Sequence, residues 1–332
     1  MIPRLRRVCA AALLMLVGVA AICHAQEPTG LVEEALPVGE AEPECSGGFD
    51  LWIASTRRLP GICRGPAAAD FGVERLAGSR GCRFWERSDL DSLLSAPERP
   101  LVIFIHGNRY DSGDAKAQGL QLAGRLAACR PGTLPPRVVV FSWPSQKQGL
   151  LLKDGRRKYD RAYADGHYLA GFLGQVPPEQ PVAIVGYSFG ALVAAGALED
   201  LTTEDLPAFP GLRWAERPGR THLVFIVPAI RSDAAAPRGP FRGMLAGLDR
   251  FTLLINSRDE ALKFFPLLEP AVRTEAMGYV GMPRRWLPDG LEYVATDAAG
   301  VVGKMHTMRR YLDSGSLSDR IASGLLDGLT DE

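Results

Sequence analysis

The chain has 332 residues, 46% hydrophobic and 23% charged. That composition supports a sizeable core and excludes disorder as the main state. Lys plus Arg and Asp plus Glu balance at 38 each, so the overall charge does not suggest a basic nucleic-acid-binding surface. No internal repeat of solenoid or propeller length occurs.

Arg4, Arg6 and Arg7 precede an apolar run from Val8 to Ile22, and Cys23-His24-Ala25 closes it with small residues at the −3 and −1 positions. This pattern predicts a secretory signal over residues 1–25, cleaved after Ala25. The run falls short of the ~20 residues that a membrane span needs. Its removal leaves 35 basic and 38 acidic residues and four cysteines, Cys45, Cys63, Cys82 and Cys129. An even count in an exported chain predicts two disulfides of undetermined pairing. The spacing lacks a CxxC, which argues against zinc. Residues 26–48, rich in Glu, Pro and Gly, read as a flexible leader. A single domain is expected over residues 49–329.

In chain order, strands are predicted at 49–56 and 82–86. From residue 100 apolar runs alternate with helical patterns: strand 101–105, helix 114–129, strand 137–141, helix 159–173, strand 182–185, helix 189–201. Further runs follow at 222–227, 251–255 and 291–295, the last less purely apolar and expected near an edge. Short strands apolar on both faces belong to a parallel sheet covered by helices, an α/β doubly wound architecture. Ligands in such sheets bind beyond the carboxyl ends of the strands. The residues there are the candidates for chemistry.

Gly186-Tyr187-Ser188-Phe189-Gly190 lies between a strand and a helix, the setting of a nucleophile elbow. Ser188 is the candidate nucleophile. The Phe189 N–H, at the helix start, is a candidate oxyanion donor. His106-Gly107-Asn108 follows an earlier strand and supplies a second candidate, the Asn108 N–H, while His106 is read as shaping that loop. Asp259, after the 251–255 run, is the candidate acid and also a possible helix cap; Asp233, Glu260 and Asp297 are alternatives. His306 is the only histidine beyond Asp259, which fits the order serine, acid, histidine. The two asparagines of the chain, Asn108 and Asn256, both fall at strand ends, which suggests local polar roles. The basic stretch Lys153 to Lys158 reads as a solvated loop. Phe264 to Leu268 reads as an ordinary helix packing on the core, with an acyl pocket as the alternative. Metalloprotease, P-loop and dinucleotide motifs are absent.

Phe104-Ile105-His106-Gly107-Asn108, Phe141-Ser142-Trp143-Pro144-Ser145 and Tyr159-Asp160-Arg161 precede the elbow; Asn256-Ser257-Arg258-Asp259-Glu260-Ala261-Leu262 and His306 follow it. With these pieces in order, residues 49–315 resemble a bacterial family of uncharacterised α/β-hydrolases. The resemblance implies the α/β-hydrolase fold, a mostly parallel doubly wound sheet flanked by helices, with Ser188, Asp259 and His306 as triad. The expected protein is an exported serine hydrolase, periplasmic or extracellular. It would cleave a carboxylic ester by default, with thioester or amide as variants, and use no cofactor or metal. Its expected partner is a small-molecule or lipid ester, not nucleic acid, and the mature form should have no membrane span. The rival readings are a catalytically silent binding module on the same fold and a peptidase or amidase.

Overall fold

The computed structural model describes residues 50–62, 69–79, 81–129, 135–149, 151–202, 213–268 and 273–330. The expected signal and leader therefore lie outside the described residues. Nine strands form one sheet: β1 (Asp50–Ser55), β2 (Gly72–Ser79), β3 (Cys82–Ser88), β4 (Leu101–Ile105), β5 (Arg137–Ser142), β6 (Val182–Tyr187), β7 (Thr221–Ile226), β8 (Arg250–Ile255) and β9 (Glu292–Asp297). Their order is β3-β2-β1-β5-β4-β6-β7-β8-β9. β1 to β2 and β2 to β3 are antiparallel, and every other pairing is parallel. Strands β4 to β7 are buried along their whole length, as their continuous apolar runs require.

Among the described residues the helices are α1 (Leu90–Leu94), α2 (Ser112–Cys129), α3 (Leu151–Leu173), α4 (Gly190–Leu201), α5 (Met277–Val280), α6 (Ala299–Val302), α7 (Met308–Asp313) and α8 (Gly315–Leu326). They make two layers, α2 with α7 and α8, and α3 with α4. Adjacent residues of β5 show that the layers take opposite faces. Gly119 of α2 lies so close to Val140 that a Cβ there would collide with it. Phe141, one residue on, points the other way to Phe71, which packs edge-on against Phe172 of α3.

Four features differ from the sequence expectation. β2 is an additional strand. Its Gly-Val-Glu-Arg-Leu-Ala-Gly-Ser mixes polar and apolar residues because an antiparallel strand near the edge can leave one face to water. α3 starts at Leu151, so the Lys153–Lys158 stretch is helical rather than a loop. Its Asp154 and Lys158 are buried: Asp154 Oδ1 accepts from the Gln148 N–H (3.2 Å), and Lys158 Nζ donates to the Pro144 carbonyl (3.2 Å). The helices α7 and α8 carry no strong motif and were not expected. Cys82 is a free, exposed thiol that opens β3 after the tight turn at Gly81, so two disulfides from the four cysteines are not formed. The Cys129 thiol lies 3.5 Å from Asp319 Oδ1, and Cys45 and Cys63 fall outside the described residues. β9 takes the edge position expected of it. Among the described residues, no helix is long and apolar enough to cross a membrane.

A buried ion cluster anchors the start of β1. Asp50 accepts from Arg137 Nε (2.6 Å), Trp52 Nε1 (2.6 Å) and Arg99 Nη1 (3.1 Å), and Arg137 also donates to the Leu93 carbonyl. Removing one partner of a buried pair leaves an uncompensated charge. Asp50→Ala is expected to cost about 3–5 kcal/mol, read as a lowered urea midpoint at unchanged m-value.

Candidate active site

The carboxyl ends of β4, β6, β8 and β9 carry the site. Ser188 follows β6 directly and has φ 53°, the left-handed region that a non-glycine residue enters only under constraint. Its backbone is tied on both sides. The Ser188 N–H donates to the Ile226 carbonyl (3.1 Å), and its carbonyl accepts from Ala191 (3.1 Å) and Ala229 (3.0 Å). The two motif glycines answer to packing. A Cβ on Gly186 would stand 2.7 Å from the Ala191 Cα, and one on Gly190 would run into the Ile105 carbonyl. The strand thus turns directly into α4, whose N-terminal dipole end begins just after Ser188.

Three side chains sequence-distant from one another meet here. His306 Nε2 lies 2.8 Å from Ser188 Oγ, and His306 Nδ1 lies 2.7 Å from Asp259 Oδ2. Nδ1–H donating to the carboxylate leaves Nε2 to accept from the serine hydroxyl. Asp259 is fully buried, and its other oxygen accepts from the Ala261 (2.9 Å) and Leu262 (3.0 Å) N–H groups, so it also caps the short turn Leu262–Leu267. The alternative acids are engaged elsewhere: Asp233 with Arg231, Glu260 with Lys304, and Asp297 with Ser257.

Tyr187 and Asn256 hold the histidine. The Tyr187 hydroxyl donates to the His306 carbonyl (2.9 Å), and its ring stacks on the imidazole with centroids 5.5 Å apart. The same ring lies against Gly107, where a Cβ would stand 2.9 Å away. Asn256 donates from Nδ2 to the Gly303 (2.9 Å) and Met305 (3.3 Å) carbonyls, and its Oδ1 accepts from the Arg258 N–H (3.1 Å). It thereby links the loop bearing Asp259 to the loop bearing His306. The sequence marked Asn256 as polar and near the site, without its partners.

The loop after β4 brings Gly107, next to Asn108, against the serine: a Cβ on Gly107 would lie 3.1 Å from the Ser188 Cβ. Among the described residues, the Phe189 and Asn108 N–H groups have no protein acceptor. The loop is shaped by His106 and by the Ser-Trp-Pro-Ser segment. Trp143 Nε1 donates to the His106 carbonyl (2.8 Å), and the Arg109 N–H, at φ 69°, donates to the Ser145 carbonyl (2.7 Å). His106 is fully buried, stacked between Tyr110 and Trp143, with Nδ1 2.9 Å from the Gly107 carbonyl and Nε2 3.3 Å from Arg57 Nη2. It touches neither Ser188 nor Asp259 in this arrangement.

Arg57 was not singled out by sequence. It donates to Ser142 Oγ (2.8 Å), Gln146 Oε1 (3.0 Å) and the Tyr110 (3.1 Å) and Asp111 (3.0 Å) carbonyls, tying the ends of β1, β4 and β5 together. Its position just after a strand was the available signal, but nothing in its residue type set it apart from Arg58. Arg161, in the Tyr-Asp-Arg segment, pairs with Asp165 (2.6 Å), which accepts from the Thr56 hydroxyl at the end of β1. Tyr159 packs edge-on against Phe189 and Phe265, so Phe265 is core, while Phe264 is exposed. Cavities of about 400 and 460 Å³ open beside Cys129 and Asp319 and beside Arg220 and Arg250, and Ser188, Asp259 and His306 line neither.

A parallel sheet with a left-handed serine between strand and helix, facing a histidine and a buried carboxylate, defines the α/β-hydrolase class. Residues 84–278 match the family described as alpha/beta hydrolase of unknown function (DUF900), and the chain belongs to that family. The matched span includes Ser188 and Asp259 and ends before His306. The chain is similar to two solved structures. An inhibited esterase B from Lactobacillus rhamnosis is 14% identical over 67% of this chain and 74% of that one, at a TM-score of 0.36. EstE5 with PMSF is 16% identical over 85% of this chain and 87% of that one, at a TM-score of 0.31. No curated protein is significantly similar to the chain.

Burial, aided by the Arg57 charge, lowers the His106 pKa to about 3 against the pull of its Gly107 bond. Burial likewise lowers that of His222 to about 4. Between these values and the ordinary 6.5, the unfolded chain binds protons that the folded chain does not. Stability should therefore fall as pH drops from about 6.5 towards 4, on the order of 1.4 kcal/mol per pH unit for each histidine. Urea unfolding across that range checks this, and His106→Gln should flatten the slope.

Proposed function

We propose that this chain is an exported serine hydrolase that cleaves an acyl bond, by default a carboxylic ester. The observation that carries the reading is the continuous hydrogen-bonded line Ser188 Oγ, His306 Nε2, His306 Nδ1, Asp259 Oδ2, at 2.8 and 2.7 Å. His306 Nε2 takes the hydroxyl proton as Ser188 Oγ attacks the carbonyl carbon. Asp259 keeps the imidazole in the accepting tautomer and stabilises the imidazolium. The oxyanion forms against the Phe189 and Asn108 N–H groups, which have no acceptor within the described residues and so are free to donate to it. His306 then returns the proton to the leaving alcohol, and an activated water resolves the acyl-enzyme. This chemistry requires no metal or organic cofactor. Export rests on the Arg4–Ala25 pattern and is tested by finding Gln26 as the N-terminus of the protein recovered outside the cytoplasm.

Covalent labelling with a fluorophosphonate tests the reaction, because such a probe needs an activated serine and an oxyanion hole but little specificity. The unaltered chain is expected to label, and Ser188→Ala and His306→Ala to abolish labelling. Asp259→Asn is expected to slow it by roughly 10⁴ through the wrong tautomer. A folded chain that does not label would favour a silent binding module.

Tyr187→Phe separates positioning from packing. It keeps the ring on the imidazole and removes the bond to the His306 carbonyl. The expected result is a fall in kcat of up to about tenfold, the worth of one hydrogen bond, with KM and Tm nearly unchanged. Tyr187→Leu should lose more, and an equal loss in kcat and Tm would indicate a merely structural role.

A further inference from the structure

The large apolar side chains that stand in water are unevenly placed. Six such residues occur among the described ones, each 45–57% exposed: Phe84, Phe264, Leu267, Val280, Val301 and Met305. All but Phe84 lie in the connections that leave the carboxyl ends of β8 and β9, the segments that carry Asp259 and His306. Isolated exposed apolar residues are ordinary, and it is their concentration on the connections at one end of the sheet that stands out. The segments are physically joined at the site. The Glu260 N–H donates to the Lys304 carbonyl (3.3 Å), and Met305 adjoins His306. Leu267 is bound to the first turns of α3, where Arg156 Nη2 donates to its carbonyl (3.0 Å).

The exposed charge around these residues is mostly positive, with Asp160 and Asp297 as exposed carboxylates just beyond these segments. Across residues 151–158, 257–268 and 299–306, the exposed cations are Lys153, Arg156, Arg157, Arg258, Lys263 and Lys304. Glu260 is the one exposed carboxylate described there, and it is paired with Lys304 (2.9 Å). Asp154 and Asp259 are buried, and Asp297, at the end of β9, is held by Ser257 (2.6 Å). The chain as a whole has no net charge, so this local excess is not a reflection of composition.

Apolar side chains among cations, on a rim around the proposed nucleophile, fit a surface that offers negative charge above hydrocarbon. We propose that this rim docks the site onto an anionic lipid surface, with Phe264, Leu267, Val301 and Met305 entering the headgroup layer and the cations facing the lipid phosphates. A long-chain ester held in that surface would then be presented to Ser188 without first dissolving. The substrate half of this proposal rests on the hydrolase reading above; the docking half does not.

The test is co-sedimentation with vesicles of phosphatidylcholine alone or mixed with phosphatidylglycerol. It uses the Ser188→Ala chain, so that docking is read without turnover. It is run on the full chain and on the chain from Gln26, which separates the rim from the apolar run Val8–Ile22. Binding is expected to the mixed vesicles, to weaken with salt, and to fall at least about tenfold with Arg157→Glu plus Lys263→Glu. Phe264→Ser plus Leu267→Ser should give a comparable loss. All four substitutions are on exposed side chains, and with Ser188 restored they should leave hydrolysis of a soluble short-chain ester unchanged. The salt titration carries the same test should a variant misfold. Docking is overturned if the chain from Gln26 ignores mixed vesicles. It is also overturned if both double variants bind like their parent, or if heparin is bound equally well and the apolar pair makes no difference. Vesicle binding by a chain that no fluorophosphonate labels would sustain docking and sink the hydrolase.

Discussion

The close seating of α4 against the end of β4 is the constraint on which the site depends. Gly190 stands so near the Ile105 carbonyl that no side chain could replace its hydrogen, and Gly186 stands almost as near to Ala191. With strand and helix that close, the residue between them has one path, through the left-handed region, at a cost on the order of 1–3 kcal/mol. The cost is offset by the three backbone hydrogen bonds of Ser188 and by the packing of a helix that is apolar from Gly190 to Leu198. The serine is therefore held clear of the sheet by the backbone alone. Its partners need only be brought to it.

They are brought by polar side chains acting on main-chain carbonyls. Tyr187 and Asn256 bind three carbonyls of the loop, those of Gly303, Met305 and His306, so the histidine loop is fixed without a helix or strand of its own. The Arg57, Trp143 and Ser145 side chains do the same for the His106 and Tyr110 carbonyls of the loop that carries Asn108. Buried polar groups are costly when unmatched, which makes such networks geometrically demanding. Here that demand defines the site. His106 is part of it: neutral and stacked between Tyr110 and Trp143, it shapes the loop, while His306 is the histidine bonded to Ser188.

Much of the fold was legible because strands buried on both faces must be written in apolar residues. Leu101–Ile105, Val138–Phe141, Val182–Val185 and Leu223–Ile226 read directly as central strands. β2 was not legible, since half of it faces solvent and its residues are chosen for that. The first turns of α3 were misread for a related reason. Their Lys and Arg suggest a solvated loop, whereas Lys158 folds back to a carbonyl after β5 and Asp154 caps a neighbouring segment, contacts that no local pattern encodes.

The sequence by itself determined the alternation of strand and helix, the glycines that force the turn at Ser188, and the chain order of serine, carboxylate and histidine. These are local properties, set by side-chain polarity, by the absence of a Cβ and by succession along the chain. Only the tertiary structure decided that Asp259 rather than Asp233, Glu260 or Asp297 lies 2.7 Å from His306, that Arg57 joins three strand ends, and that Phe264, Leu267, Val301 and Met305 stand in water. Those facts depend on which strands become neighbours. β8 and β9 lie side by side at one end of the sheet, and that adjacency brings together residues almost fifty positions apart.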